Sequence, residues 1–314
     1  MRSPSRPSPA LRVALRAGAA GALAAAFAVP LLRKRARIPA AVTVAACAAG
    51  PLAVAVARPR TRGRDVALFA MQMWAFIMVH ELPYDSPERL RARLRARYPI
   101  AVDRSIGLGR LPSVRLQRAL ARLRRVGLLN RVLTWVHWLW FLEPYCALLY
   151  ILIRHPQHFP RAARRLAAVF DTGCVVYFAV PTAPPWWASE QGLTEEPVRR
   201  IMVEVGEDFW GSAWPRMYDA LGGNPWAAMP SLHFATSVVA ADALAQTGRT
   251  AGAVGWTYAL TLGFALVYLG EHYVTDLAAG AALVAVVREA EPLAEPLVHG
   301  VNRRLQRLER LANG

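Results

Sequence analysis

The sequence predicts an all-α, polytopic membrane bundle, on three observations. The 314 residues are 55% hydrophobic with a mean hydropathy of +0.23, too apolar for an ordinary soluble domain. The apolar residues gather into segments that each approach the roughly 20 residues a spanning helix needs. The basic charge, 38 Lys+Arg against 21 Asp+Glu, lies mostly between those segments.

Taken in order, the apolar segments are 11–32, 38–57, 65–82, 132–153, 165–183, 230–248, 251–270 and 273–288. The first follows Arg2, Arg6, Arg12 and Arg16, the layout of a signal sequence. Its run of about 20 residues is long enough to span, which favours a retained helix. Residues 83–131 form a basic connector in which Leu90, Leu94, Leu116, Leu120 and Leu123 recur at helical spacing among arginines. Such a pattern suits amphipathic helices in the headgroup layer, with a solvated arginine-rich loop as the alternative. Residues 184–229 form a mildly acidic connector with Glu190, Glu195, Glu196, Glu204, Glu207, Asp208 and Asp219. It opens near Pro184-Pro185-Trp186-Trp187, where proline ends a helix and tryptophan favours the interface. The expected domains are 1–64, a basic N-terminus with two transmembrane helices; 65–290, the core with both connectors; and 291–314, a basic cytoplasmic tail.

The net charge of +17 is almost wholly arginine, because Lys34 is the only lysine. Since the arginines flank apolar runs, membrane lipids are the expected partners and nucleic acid is not. Cys47, Cys146 and Cys174 all lie in apolar segments and form no CxxC pair, so they read as small buried hydrophobes, with neither a disulfide framework nor a zinc site. With the connector 83–131 set aside, Lys and Arg are more numerous on the side of the two termini. The positive-inside rule then places both termini in the cytoplasm, in the plasma membrane, with an extracytoplasmic site.

The chemistry concentrates in two motifs, Pro230-Ser231-Leu232-His233 and His272-Tyr273-Val274-Thr275-Asp276. Pro230 fits the first turn of a helix, Ser231 can cap it, and free N–H groups there can face a phosphate. The four-residue spacing puts His272 and Asp276 on one helical face. A carboxylate on one ring nitrogen fixes the tautomer and strengthens the other as a nucleophile. The plain alternatives are an interfacial histidine and a snorkelling histidine beside an unrelated helix-start aspartate. One motif opens an apolar segment and the other opens the segment two further on. Two crossings return the chain to the same face, so both histidines belong on one side of the membrane.

Asn224 to His233 resembles the second motif of the type 2 phosphatidic acid phosphatase superfamily, and Glu271 to Gly280 resembles its third. The Pro-Ser-Leu-His form, the His-Tyr pair and Pro181-Thr182-Ala183-Pro184-Pro185 are most similar to its inositol phosphorylceramide synthase-like branch. The resemblance covers residues 65–290. It implies a six-helix catalytic core after about two N-terminal transmembrane helices, with no metal and no cofactor. It implies His272 as the nucleophile, Asp276 as its orienting carboxylate, His233 as the acid and Ser231 as a phosphate contact. The cations of that family's first motif are replaced here by Tyr177 and Pro184. The serine and arginine of its third are replaced by Ala265 and Leu266. Other cations must then neutralise the substrate. The candidates are Arg104, Arg131 and Arg216, and His137 can line the pocket.

The expected function is a lipid phosphatase or phosphotransferase, acting through a phosphohistidine on a phosphorylated lipid or phosphodiester. The acceptor is water or a polyol such as inositol. The alternatives are a non-catalytic scaffold or transporter on the same fold, and an arginine-rich tether for acidic partners.

Overall fold

The computed structural model describes residues 8–221 and 224–313; Arg2, Arg6 and the side chain of Asp219 lie outside the described residues. Among the described residues there is no strand, only two isolated bridges joining Arg95 to Thr182 and Thr182 to Ala227. The chain is all-α, in two compact units.

One unit holds α1 (Pro9–Ala36), α2 (Ala40–Ala57), α3 (Arg62–His80) and the chain from Glu289 onward. The Ser8 hydroxyl caps α1 by accepting from the Leu11 N–H, and Thr61 caps α3 by accepting from Arg64. All three helices are long and apolar enough to cross a bilayer. Ala26, Val54 and Met71 form one packed cluster between them, and Cys47, Ala75 and Met78 another. Buried Arg33 donates to Asp85 at 2.8 Å and to Glu81 at 3.1 Å.

The second unit, Ser86–Arg288, carries both histidine motifs. Its first connector is largely helical: α4 (Pro87–Ala92), α5 (Arg97–Ile106) and α6 (Pro112–Leu120). The apolar segment 132–153, expected as one span, is two helices, α7 (Val126–Leu139) and α8 (Glu143–Arg154), bent by 54°. Pro144 accounts for the break: it has no N–H for the Trp140 carbonyl and its ring crowds that carbonyl. The intervening amides bond three residues back, Phe141 to Trp138 and Leu142 to Leu139. α9 (Phe159–Ala179) carries Arg161, Arg164 and Arg165 in its first two turns, so its apolar stretch is shorter than the helix.

The second connector holds α10 (Pro185–Glu190), α11 (Ile201–Trp210) and α12 (Trp214–Leu221). α13 (Leu232–Ala245) has 14 residues, about 21 Å of helix, less than the roughly 30 Å of a hydrocarbon core. The expected span 230–248 is therefore a short apolar helix, packed among α8, α9 and α14 (Arg249–Tyr268). α14 is of spanning length and composition. The last apolar segment does not end at 288: α15 runs Val274–Asn313, with Pro292 and Pro296 inside it. Cys47 and Cys174 are buried, but Cys146 is exposed on α8, because α8 packs through Ala147, Leu148, Ile151 and Leu152. Among the described residues four helices are long and apolar enough to cross a membrane, and a fifth where the bent pair counts as one, which makes the chain an integral membrane protein.

Candidate active site

The site is built on the loop between α14 and α15. Gly270 turns the chain with φ +85°, and a Cβ there would lie 2.4 Å from the Arg199 carbonyl. Only glycine admits both the conformation and the approach. The 199–201 segment runs alongside, with the Ile201 N–H donating to the Leu269 carbonyl at 3.2 Å. Gln117 on α6 fixes this pairing. Its amide donates to the carbonyls of Arg199 and Tyr268, both at 2.9 Å, and accepts from the Arg199 N–H at 3.0 Å.

The start of α15 is capped by Asp103 of α5. Its carboxylate accepts from the Val274 and Thr275 N–H groups, each at 2.9 Å, and from the Thr275 hydroxyl at 2.5 Å. Two backbone N–H groups that α15 cannot satisfy itself are thereby paired, together with the Thr275 hydroxyl. This anchoring sets the direction of Asp276, the next residue, which is fully buried. Asp276 Oδ2 accepts from the Tyr273 N–H at 2.9 Å and lies 3.2 Å from His272 Nδ1.

The second motif meets the first through the backbone. The Ser231 N–H donates to the Asp276 carbonyl at 2.9 Å. A Cβ on Gly280 would stand 2.7 Å from the Ser231 carbonyl, so the two helix starts pack at the closest approach a glycine allows. The Tyr177 hydroxyl donates to the Pro230 carbonyl at 2.7 Å. Ser231 is fully buried and caps α13, its hydroxyl accepting from the Phe234 N–H at 3.3 Å. His233 follows in the first turn, and its Nδ1 lies 3.3 Å from His272 Nε2.

His233 is enclosed by aromatic rings. Trp140 lies 4.1 Å from it, centroid to centroid, and His137 lies 5.1 Å away. Trp140 is fixed by its indole N–H, which donates to the Thr236 hydroxyl at 2.8 Å. His137 is 6% exposed, with no hydrogen-bond partner for its Nδ1 among the described residues.

The hydrogen-bond order determines where the protons sit. As a carboxylate, Asp276 only accepts, so His272 carries its proton on Nδ1 and its Nε2 has a lone pair. His233 must then donate from Nδ1 into that lone pair. A nucleophilic nitrogen and a proton donor thus face each other, backed by a buried carboxylate. The arrangement suits attack on an electrophile by His272 with protonation of the departing group by His233.

The histidines, Asp276, Ser231 and His137 come together; the three expected arginines do not join them. Arg104 donates to Glu195 at 2.7 Å. Arg131 on α7 and Arg216 on α12 are exposed and make no contact with either histidine. The cation at this loop is Arg200, which sequence reasoning missed. It donates to Glu271, the residue before His272, at 3.1 and 3.4 Å, and stacks 3.6 Å over the Trp186 ring. Arg200, Glu271 and His272 all act electrostatically on His137. The sequence signal was a double arginine, Arg199-Arg200, inside an otherwise acidic connector. Asp103 and Gln117 gave no local signal. Among the described residues, no group of three or more His, Cys, Asp or Glu side chains is arranged to hold a metal.

Residues 100–288, which contain every one of these groups, match the family model of the PAP2 superfamily. No curated protein and no solved structure matches the chain. A match over more than half of the chain, spanning both histidine motifs, makes this protein a member of the PAP2 superfamily, with the phosphatase-type function of a family whose enzymes are generally phosphoric ester hydrolases.

Proposed function

We propose that this protein is a membrane enzyme that transfers the phosphoryl group of a lipid phosphate or phosphodiester through a phosphohistidine. The carrying observation is the Asp276–His272–His233 relay, with successive separations of 3.2 and 3.3 Å. In the first half-reaction the His272 Nε2 lone pair forms a bond to phosphorus. The P–O ester bond breaks, and His233, entering as the imidazolium, passes its Nδ1 proton to the leaving oxygen and becomes neutral. In the second, an acceptor hydroxyl attacks phosphorus, the N–P bond breaks and His233 takes the acceptor's proton. Asp276 balances the charge that grows on the His272 ring while it carries phosphorus.

At 3.3 Å the two nitrogens leave no gap for a phosphoryl group, so the substrate takes the place of that hydrogen bond. Arg200 supplies the positive charge that the substituted family positions lack, with Glu271 as its partner while no substrate is bound. The lipid assignment rests on the site's level in the chain: His272 follows the spanning helix α14 by four residues. The arginine bias outside the connector 83–131 favours a plasma-membrane protein with an extracytoplasmic site. The resemblance of Pro230–His233 to the inositol phosphorylceramide synthase-like branch favours inositol as an acceptor beside water.

The test uses the full chain in detergent micelles with phosphatidic acid labelled in its phosphate. Acid-labile, base-stable label should appear on the wild type and be absent from His272→Ala. A chase with water releases orthophosphate, and a chase with inositol moves label to inositol phosphate. A wild type that turns over with no trapped label, or a His272→Ala variant that turns over unchanged, overturns the histidine mechanism. A folded wild type with neither turnover nor label leaves the scaffold reading.

A further inference from the structure

Some arginines of the connector between residues 83 and 131 are paired and others are not. Three that face the acidic loop, on α5, on α6 and in the turn between them, are neutralised: Arg104 meets Glu195 at 2.7 Å, and Arg110 and Arg118 meet Glu196 at 2.7 and 2.6 Å. Arg93 is also occupied, donating to the last carbonyls of α9 at Phe178 and Ala179. Arg91, Arg95 and Arg97 are different. All three are exposed, and none meets a carboxylate among the described residues. Arg91 has only a neutral partner, Gln191, at 3.1 Å, and lies 5.9 Å over the Trp187 ring.

These three side chains line one groove of about 730 Å³, together with Tyr98 and Trp187. Leu94, Val180 and Leu193 give it an apolar wall. The floor is rigid. Arg95 pairs through its backbone with Pro181 and Ala183, and Thr182 pairs with Trp226 and Ala228, so the groove stands on the chain that leads into Pro230. The Tyr98 hydroxyl is fixed 2.9 Å from Thr182 Oγ1 and 3.1 Å from Met229 Sδ. Burial raises the Tyr98 hydroxyl above its ordinary value, so it stays protonated.

We propose that this groove is a binding site, separate from the histidines, for the phosphodiester headgroup of an anionic membrane lipid. Three unneutralised guanidiniums around one cavity favour an anion there, and arginine matches phosphate oxygens in a bidentate way. A groove of several hundred Å³ fits a headgroup. The lipid is favoured over a free anion because one wall is apolar and Trp187 supplies an interfacial aromatic. The assignment does not depend on the phosphoryl-transfer reading, because none of these residues lies in the relay.

The full chain in neutral detergent is titrated with dioleoyl phosphatidylglycerol or dioleoyl phosphatidylcholine, and bound lipid is counted by native mass spectrometry. Phosphatidylglycerol should bind about thirty- to 150-fold more tightly, the effect of two to three arginines near a headgroup at about 1 kcal/mol each. Arg95→Gln/Arg97→Gln should lose that preference, and so should Arg91→Gln/Arg97→Gln, a second pair kept in case the first unfolds. Arg110→Gln/Arg118→Gln, with the same change in charge on paired arginines, should retain it. The proposal is overturned if the groove variants keep the preference or if the control pair loses it equally. It is also overturned if glycerol 3-phosphate at the lipid's concentration displaces the lipid, which would mark a free-anion site.

Discussion

Asp276→Asn tests the relay at its most buried member. The carboxylate is fully buried, and its Oδ2 accepts from both His272 Nδ1 and the Tyr273 N–H. Asparagine can set its carbonyl oxygen in that place and keep both bonds, so the His272 tautomer and the loop survive. The negative charge does not. As phosphorus bonds to Nε2, the imidazole becomes cationic, and the ring charge lies about 4 Å from the carboxylate. At an effective dielectric of about 20, that pair is worth about 4 kcal/mol. Removing it should lower kcat about 10³-fold. KM should change little, because the charge develops only in the transition state. Stability should move by no more than about 1 kcal/mol, since the hydrogen-bonding outline is preserved and a buried charge is relieved. The assay is steady-state release of phosphate from phosphatidic acid in mixed micelles, with thermal unfolding as the control. A folded Asp276→Asn enzyme with kcat within tenfold of wild type would refute the relay. So would a change confined to KM.

His233→Ala should cut kcat on phosphatidic acid about 10²- to 10⁴-fold, the span of general-acid catalysis, yet cut turnover of p-nitrophenyl phosphate far less, because that leaving group departs without a proton. Equal losses on both substrates would place His233 outside proton transfer. Arg200→Ala should weaken inhibition by orthovanadate and lower kcat/KM about 10²-fold, comparable to losing one preorganised phosphate-binding group; Arg200→Lys should recover part of it, and unchanged vanadate inhibition would exclude Arg200. Asp103→Ala unpairs two backbone N–H groups at the start of α15 and should lower stability by about 2–4 kcal/mol, read as a fall in Tm; an unchanged Tm would remove the anchoring role.

The sequence carried the two histidine motifs and their common side of the membrane, because both depend on local spacing and on counting crossings. It also carried most helices, because apolar runs are local. Errors arose where one residue outweighed a run. Pro144 splits 132–153 although the run around it is largely apolar. α15 continues through Pro292 and Pro296, past the end of its apolar stretch. The partners around the histidines were illegible for a different reason. Arg200 is 71 positions from Glu271, and Asp103 is 171 from Val274. Arg104 and Arg200 look alike in a charge pattern, each an arginine in a connector. Only the register that Gln117 and Gly270 impose on 199–201 brings one to the His272 loop, and only Glu195 takes the other away.

On the proposed function, Arg200 and Glu271 together answer the problem posed by the substituted family cations. A guanidinium only 19% exposed, with no counter-ion, would cost several kcal/mol. Glu271 removes that cost while no substrate is present. A hydrogen bond from His233 likewise satisfies the His272 lone pair. In the proposed reaction a phosphoryl group takes over from both resting partners. It accepts from Arg200 with its oxygens and presents phosphorus to Nε2. A neutral headgroup offers no such exchange, since it would leave Arg200 on its carboxylate and the two imidazoles bonded to each other. On the proposed function, the closed pair of rings is therefore a source of selectivity. It admits a ligand that carries negative charge and an electrophilic centre together, which is the description of a phosphate ester.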